Sequence, residues 1–229
     1  MKIGITKFPG TNNEQDVVRT LKSLDMDYTY IFPNEVNLLA EIDALVIAGG
    51  FSYGDYLRPG AIASHSQVAQ HLGKFAEDGN YIIGICNGFQ ILCELGILPG
   101  ILITNNSTKF ICKWVNIISE GSNSALLEGT EKRKLRLPIA HFDGRYFDEE
   151  NNVKKLIRHS QVGFRYCNDN KEISKDSNPN GSIENIAGII NSNGNVLGMM
   201  PHPERASFSY LGSDDGRIIF KNLRNVIKC

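Results

Sequence analysis

Residues Tyr81-Ile82-Ile83-Gly84-Ile85-Cys86-Asn87-Gly88-Phe89-Gln90-Ile91-Leu92 leave a chain few ways to fold. The apolar run 81–85 suits a strand buried on both faces, as in a parallel sheet. Gly84 and Gly88 bracket Cys86 where a chain turning sharply from strand into helix has no room for Cβ atoms. The segment that follows is apolar and helix-like. This is the pattern of a nucleophile elbow, with cysteine in place of the serine of G-x-S-x-G hydrolases. A sulfur there sits at a helix N-terminus, whose partial positive charge favours thiolate. A buried core cysteine is the plainer alternative, and the rest of the chain has to decide between them.

The first half alternates strand and helix patterns. A strand is predicted over residues 2–8, then a helix opened by Thr11 and Glu14 at capping-box spacing with Val17, Val18, Leu21 and Leu24 as its stripe. Strands over 28–32 and 44–48 follow, the latter ending in Gly49-Gly50 and a polar, glycine-rich loop over 51–60. Val68, Leu72, Phe75 and Ala76 mark a helix face before the elbow, and the elbow helix runs out near Gly96. The fold class predicted is α/β and flavodoxin-like, a mostly parallel sheet flanked by helices. In the second half, short strands are predicted over 101–104, 110–118, 135–140 and 163–167, with an Asn193-Gly194 hairpin turn between 186–190 and 196–200. These read as antiparallel strands appended to the parallel core. Residues 171–185 read as an exposed loop, and a last amphipathic helix carries Ile218, Ile219, Leu223 and Val226. The 229 residues fit one domain spanning 1–229.

A cysteine nucleophile needs a base and a group to orient that base. Of five histidines, His65 and His71 fall on or near a helix, and His159 has no recognisable context. His202 lies in Pro201-His202-Pro203-Glu204, where prolines fix the backbone and Glu204 can hold the far ring nitrogen. Cys86, His202 and Glu204 form the best triad, with His141 at the end of a strand as the rival base. One oxyanion donor is the backbone N–H of Asn87, after the nucleophile. A second is sought at Gly50 or Phe51, where the neighbouring strand ends.

Twenty-four basic and 25 acidic residues nearly cancel, so no basic field recruits nucleic acid. No apolar run approaches a membrane span, and the opening Lys2-Ile3-Gly4-Ile5 leaves no room for a signal peptide. Five cysteines without a C-x-x-C pair signal neither a disulfide framework nor a metal site. A reducing, cytoplasmic setting is expected.

Gly84-x-Cys86-x-Gly88 with Gln90, and His202-Pro203-Glu204 far downstream, resemble the class I (triad-type) glutamine amidotransferases. Phe8-Pro9-Gly10-Thr11-Asn12, the string from Gly49 to Arg58, and Pro201-His202-Pro203-Glu204-Arg205 are similar to one subfamily, over essentially the whole chain. Its members are stand-alone glutaminase subunits that feed a synthetase of de novo purine synthesis. His141-Phe142-Asp143-Gly144 departs from the subfamily's His-Gly-Glu-Gly. The resemblance implies L-glutamine as substrate and a Cys86 thioester, with Gln90 and, by position, Gln161, Gly163 and Phe164 holding the substrate. It further implies a synthetase partner, a small third subunit, and ATP and Mg²⁺ on the synthetase with no cofactor in this chain. Two other readings are a different cysteine-elbow hydrolase, such as a peptidase or deglycase, and a non-catalytic module that kept the fold.

Overall fold

The computed structural model describes residues 1–121 and 123–228. Its strands are β1 (Lys2–Thr6), β2 (Asp27–Ile31), β3 (Ala44–Ile47), β4 (Tyr81–Ile85), β5 (Ile101–Ile103), β6 (Ile111–Ile118), β7 (Lys134–His141), β8 (Arg145–Phe147), β9 (Val162–Cys167), β10 (Ile186–Ile190) and β11 (Val196–Met199). Its α-helices are α1 (Glu14–Lys22), α2 (Ala61–Ser64), α3 (Gln67–Glu77), α4 (Asn87–Glu94), α5 (Glu150–Arg158) and α6 (Arg217–Lys228). Nine strands form one sheet in the order β2-β1-β3-β4-β11-β10-β9-β6-β7, and β5 pairs with β8 apart from it. Pairing is parallel from β2 through β11 and antiparallel from there to β7.

The residue patterns explain the two halves. Every residue of β3 and β11, and all of β4 but Tyr81, is buried, as strands covered by helices on both faces must be. β7 alternates instead, with Leu135, Leu137 and Ile139 buried between more exposed neighbours, the mark of a sheet with one open face. Helix stripes close the core. Val17, Val18 and Leu21 pack from α1, and Val68, Leu72 and Phe75 from α3, whose N-cap Ser66 accepts from Ala69 N–H at 3.2 Å. Ile219, Phe220 and Leu223 pack from α6, so Phe220 joins the predicted stripe.

Several expectations need correction. Thr11 and Glu14 make no capping box. α1 starts only at Glu14, the far end of that spacing, with Asn13 as N-cap, and Thr11 Oγ1 instead accepts from Phe8 N–H at 3.0 Å. The 171–185 segment is exposed only at first, since Asn180, Ser182 and Asn185 are buried in hydrogen-bonded turns. Neither α5 nor β8 was predicted. β8 is three residues long, and α5 buries only Val153 and Leu156 among charged neighbours. Among the described residues, no helix is long and apolar enough to cross a membrane.

Direction within the sheet positions the site. β1, β3, β4 and β11 run parallel, and four successive antiparallel pairings bring β7 back to the same sense. Their C-terminal ends therefore gather Asn12 and Asn13, Gly49 and Gly50, Cys86, His202 and His141 at one edge, where open α/β sheets bind ligands.

Candidate active site

Cys86 sits between β4 and α4 with φ 51° and ψ −104°. A non-glycine residue at positive φ is strained, and here the geometry of both neighbours enforces it. A Cβ on Gly88 would lie 2.1 Å from the Ile47 carbonyl oxygen, and one on Gly84 would lie 2.8 Å from Gly88 backbone. The elbow is thus built by close approach of α4 to β3. It lifts the sulfur to the floor of a cleft of about 360 Å³ lined by Asn13, Gly50, Asp55, Gln90, His141 and His202, among others.

The predicted triad assembles there. His202 Nδ1 lies 2.6 Å from Glu204 Oε1, and both residues are buried. A Cβ on Gly49 would stand 3.0 Å from His202 Cε1 and 3.4 Å from Cys86 Cβ, so the two side chains converge over that bare strand end. Among the described residues, His202 Nε2 is buried and has no hydrogen-bond partner, which leaves it available to a reacting group. Burial opposes the charged imidazolium, but Glu204 and Cys86 outweigh it and push the His202 pKa up to about 10. The Cys86 sulfur lies 3.7 Å from the Ala140 carbonyl oxygen.

His141 shares the cleft but in another state. Asn105 Nδ2 donates to the carbonyls of Lys109 and His141, so its Oδ1 is the acceptor facing His141 Nδ1 at 3.1 Å. The His141 ring therefore carries its proton on Nδ1. Burial, followed by the nearby His202, pushes its pKa down to about 4. No carboxylate is hydrogen-bonded to it among the described residues. It is a neutral polar wall, held flat against Gly144, where a Cβ would meet Nδ1 at 2.2 Å.

Of the expected oxyanion donors, Phe51 is withdrawn, because its N–H donates to the Gly10 carbonyl at 3.1 Å. Gly50 faces Thr11 in an antiparallel bridge whose hydrogen bonds are made by the flanking residues, which turns its own N–H the other way. At φ 148° and with Gly10 O 2.5 Å from an added Cβ, only glycine fits. Asn87 N–H opens α4, and its side chain ties neighbouring segments together: Oδ1 accepts from Ser52 N–H at 3.1 Å, and Nδ2 donates to Gln90 Oε1 at 2.9 Å.

Gln90 lines the cleft and donates to the Asp143 carbonyl at 2.7 Å. Gln161, Gly163 and Phe164 do not come to it. They open β9, at the end of the sheet remote from Cys86, where Gln161 donates to Ile190 O at 3.2 Å and Phe164 is fully buried in the core. Phe110 also lines the cleft. Sequence reasoning missed Asn13, Asp55 and Asp143. Asp55 belongs to the Gly49–Arg58 string and Asp143 to the departing His141–Gly144 stretch, so the strings marked the walls without assigning their parts. Burial and then Asp143 raise the Asp55 pKa to about 6. The described residues place no group of three or more His, Cys, Asp or Glu side chains to hold a metal ion.

The CobB/CobQ-like glutamine amidotransferase domain matches residues 1–217. The chain belongs to this amidotransferase family. It is 48% identical over 225 residues to phosphoribosylformylglycinamidine synthase subunit PurQ of Aquifex aeolicus, covering 97% of this chain and 99% of the relative. The PurQ subunit of Methanosarcina acetivorans is 45% identical, with 99% and 98% covered. Among solved structures, a chain of PurLQS from Thermotoga maritima superposes with a TM-score of 0.87 at 40% identity, covering 99% of this chain and 98% of that one.

Proposed function

We propose that this chain is the glutaminase subunit of a phosphoribosylformylglycinamidine synthase. It hydrolyses L-glutamine and passes the ammonia to a synthetase subunit, which makes formylglycinamidine ribonucleotide with ATP and Mg²⁺. The observation that carries the chemistry is the convergence of the strained Cys86 with the Glu204-bound His202 over Gly49. Relatedness to PurQ subunits over nearly the full chain supports the substrate and pathway.

Cys86 Sγ attacks the side-chain carboxamide carbon of glutamine. The N–H groups of Gly50 and Asn87 take the oxyanion. His202 protonates the nitrogen, the C–N bond breaks, and ammonia leaves a glutamyl thioester on Cys86. His202 then takes a proton from water, which adds to the thioester and releases glutamate and the thiol. Asp55 and Asp143 make their part of the cleft favour a cation, such as the α-ammonium of an amino acid, and Gln90 braces that wall. No cofactor is needed in this chain for these steps. The synthetase, with a small third subunit, completes the complex, which works in the cytoplasm.

The test is ammonia release from glutamine by the purified chain, followed by product formation in the assembled complex. Cys86→Ser should abolish glutamine use while free ammonium still supports the synthetase. Loss of ammonium-dependent turnover as well would place the ligase chemistry in this chain and overturn the assignment.

A further inference from the structure

Asn13 stands at the N-cap of α1 but its side chain caps nothing there. Asparagine at this position ordinarily turns its oxygen onto the first backbone N–H groups of the helix. Here Oδ1 is diverted to accept from Arg205 Nη2, while Nδ2 comes within 3.0 Å of His202 Nδ1. A guanidinium only donates, so Arg205 fixes which end of the amide faces the imidazole. Arg205 is in turn steadied by Asp16, with Nε 3.4 Å from Oδ2. The strand end is bare to admit this amide, since a Cβ on Gly49 would lie 2.6 Å from Asn13 Nδ2. Asn13 itself is buried.

The His202 Nδ1 atom now has two neighbours with opposite demands. Glu204 Oε1, at 2.6 Å, requires a proton on Nδ1. The Asn13 amino group requires a lone pair there. A ring nitrogen has one in-plane position and meets only one demand at a time. We infer that Asn13, oriented by Arg205, is a positioning residue that opposes Glu204 at His202 Nδ1 and keeps the imidazole able to give up and regain its proton. Glu204 and Cys86 already hold the His202 pKa far above the ordinary imidazole value, and with Glu204 unopposed the ring would keep its proton more tightly still. It would then protonate the leaving nitrogen poorly and could not take a proton from water. The inference rests on the glutaminase reading for its purpose, though not for the ring's titration. The charged and titratable groups that face the ring are Glu204 from its own segment, Cys86 from the elbow and His141 from β7, with Arg205 and Asp16 behind Asn13.

The experiment follows the ring nitrogens of His202 by NMR against pH in the isolated full chain with ¹⁵N-labelled histidine, the signals being assigned by their loss in His202→Gln. Asn13→Ala and Arg205→Met are each expected to raise the midpoint by about one pH unit, the size of one neutral hydrogen bond. Asn13→Asp, of nearly the same shape, should raise it further. In the glutaminase assay the rising limb of kcat should move to higher pH by the same amount. An unchanged midpoint in folded Asn13→Asp, or a loss of activity equal at every pH, overturns the inference. Should Asn13→Ala fail to fold, the other two variants still decide. A midpoint that moves in a chain with no glutaminase activity would sink the proposed function and leave this inference standing. Glutaminase activity with a fixed midpoint would do the reverse.

Discussion

At the scale of single residues, the two buried histidines of one cleft differ through what each nitrogen touches. His202 has a carboxylate at 2.6 Å, and His141 has a carboxamide oxygen at 3.1 Å. Replacing His202 with Asn is expected to cost about 10²–10⁴-fold in glutaminase rate, and His141→Asn much less, as measured on folded variants. His141 has a second, separable consequence. Its pKa is about 4 when folded against 6.5 for the free side chain, so between those values the unfolded chain binds the extra proton. Its neutral form therefore adds stability that is fully present above about pH 6.5 and is lost as pH falls toward 4, by up to roughly 3 kcal/mol. Urea unfolding from pH 7 to pH 4 should show a shallower fall in His141→Gln than in the parent chain. An identical slope would show that the ring does not titrate on unfolding. Asp55, with its pKa near 6, gives the complementary kinetic sign: KM for glutamine should fall as pH rises through 6, and Asp55→Asn should remove that dependence.

At the scale of elements, the glycines of the elbow are fixed by contacts rather than by flexibility. Gly88→Ala places a methyl 2.1 Å from the Ile47 carbonyl oxygen, a backbone atom of a fully buried strand that cannot retreat. A cost of about 3 kcal/mol and a drop of roughly 6–12 °C in Tm are expected. Gly73 in α3 is the contrast, because nothing lies within 4 Å of an added Cβ and the residue is helical. Gly73→Ala should stabilise by about 0.5–1 kcal/mol, and calorimetry of the two variants should give opposite signs. The same contrast explains what was legible in the sequence. The buried strands β3, β4 and β11 announce themselves as apolar runs, and the elbow by two glycines around Cys86, because each pattern is local. The capping box at Thr11 and Glu14 was a local pattern too, but tertiary contacts claimed its members: Glu14 pairs with Lys7 at 3.1 Å. Gln161, Gly163 and Phe164 were placed by analogy along the chain, and the strand direction of β9 carries them away from the cleft. Asn13 could not be found from sequence, since its role depends on Arg205, which lies 192 residues away.

At the scale of the whole molecule, the loop from Phe51 to Gly60 joins the floor of the cleft to the outer surface. Tyr53, Asp55 and Leu57 all adopt positive φ, at 51°, 55° and 69°, each costing on the order of 1 kcal/mol or more. Inward, Ser52 N–H and Asp55 Oδ1 both engage the Asn87 side chain, 3.1 and 3.3 Å away, beside the proposed oxyanion donor. Outward, Tyr56 is 74% and Leu57 90% exposed, while Phe51, Phe110 and Phe142, also exposed, line the cleft. Two features usually read as mobile are pinned. Gly60 packs so closely on α4 that a Cβ would lie 2.8 Å from Ile91 N, and Arg58 forks onto Glu94 at 2.6 and 2.5 Å. Arg58 thus ties the loop to the helix that begins at Asn87, and a partner pressing on Tyr56 and Leu57 would act on both ends of that connection. The strained loop is therefore expected to act as a gate, because docking can supply the contacts that set its last donor. Removing one well-placed oxyanion donor costs about 10²–10³-fold, which sets the size of activation expected when the synthetase, its nucleotide substrate and ATP are added to the chain. Tyr56→Ala and Leu57→Ala should blunt that activation while leaving the rate of the isolated chain as it is. Arg58→Ala should also lower it, by freeing the loop from α4. Steady-state glutamine hydrolysis with and without the partner decides the matter, and equal rates in the two conditions would remove the gate and leave the catalytic site intact.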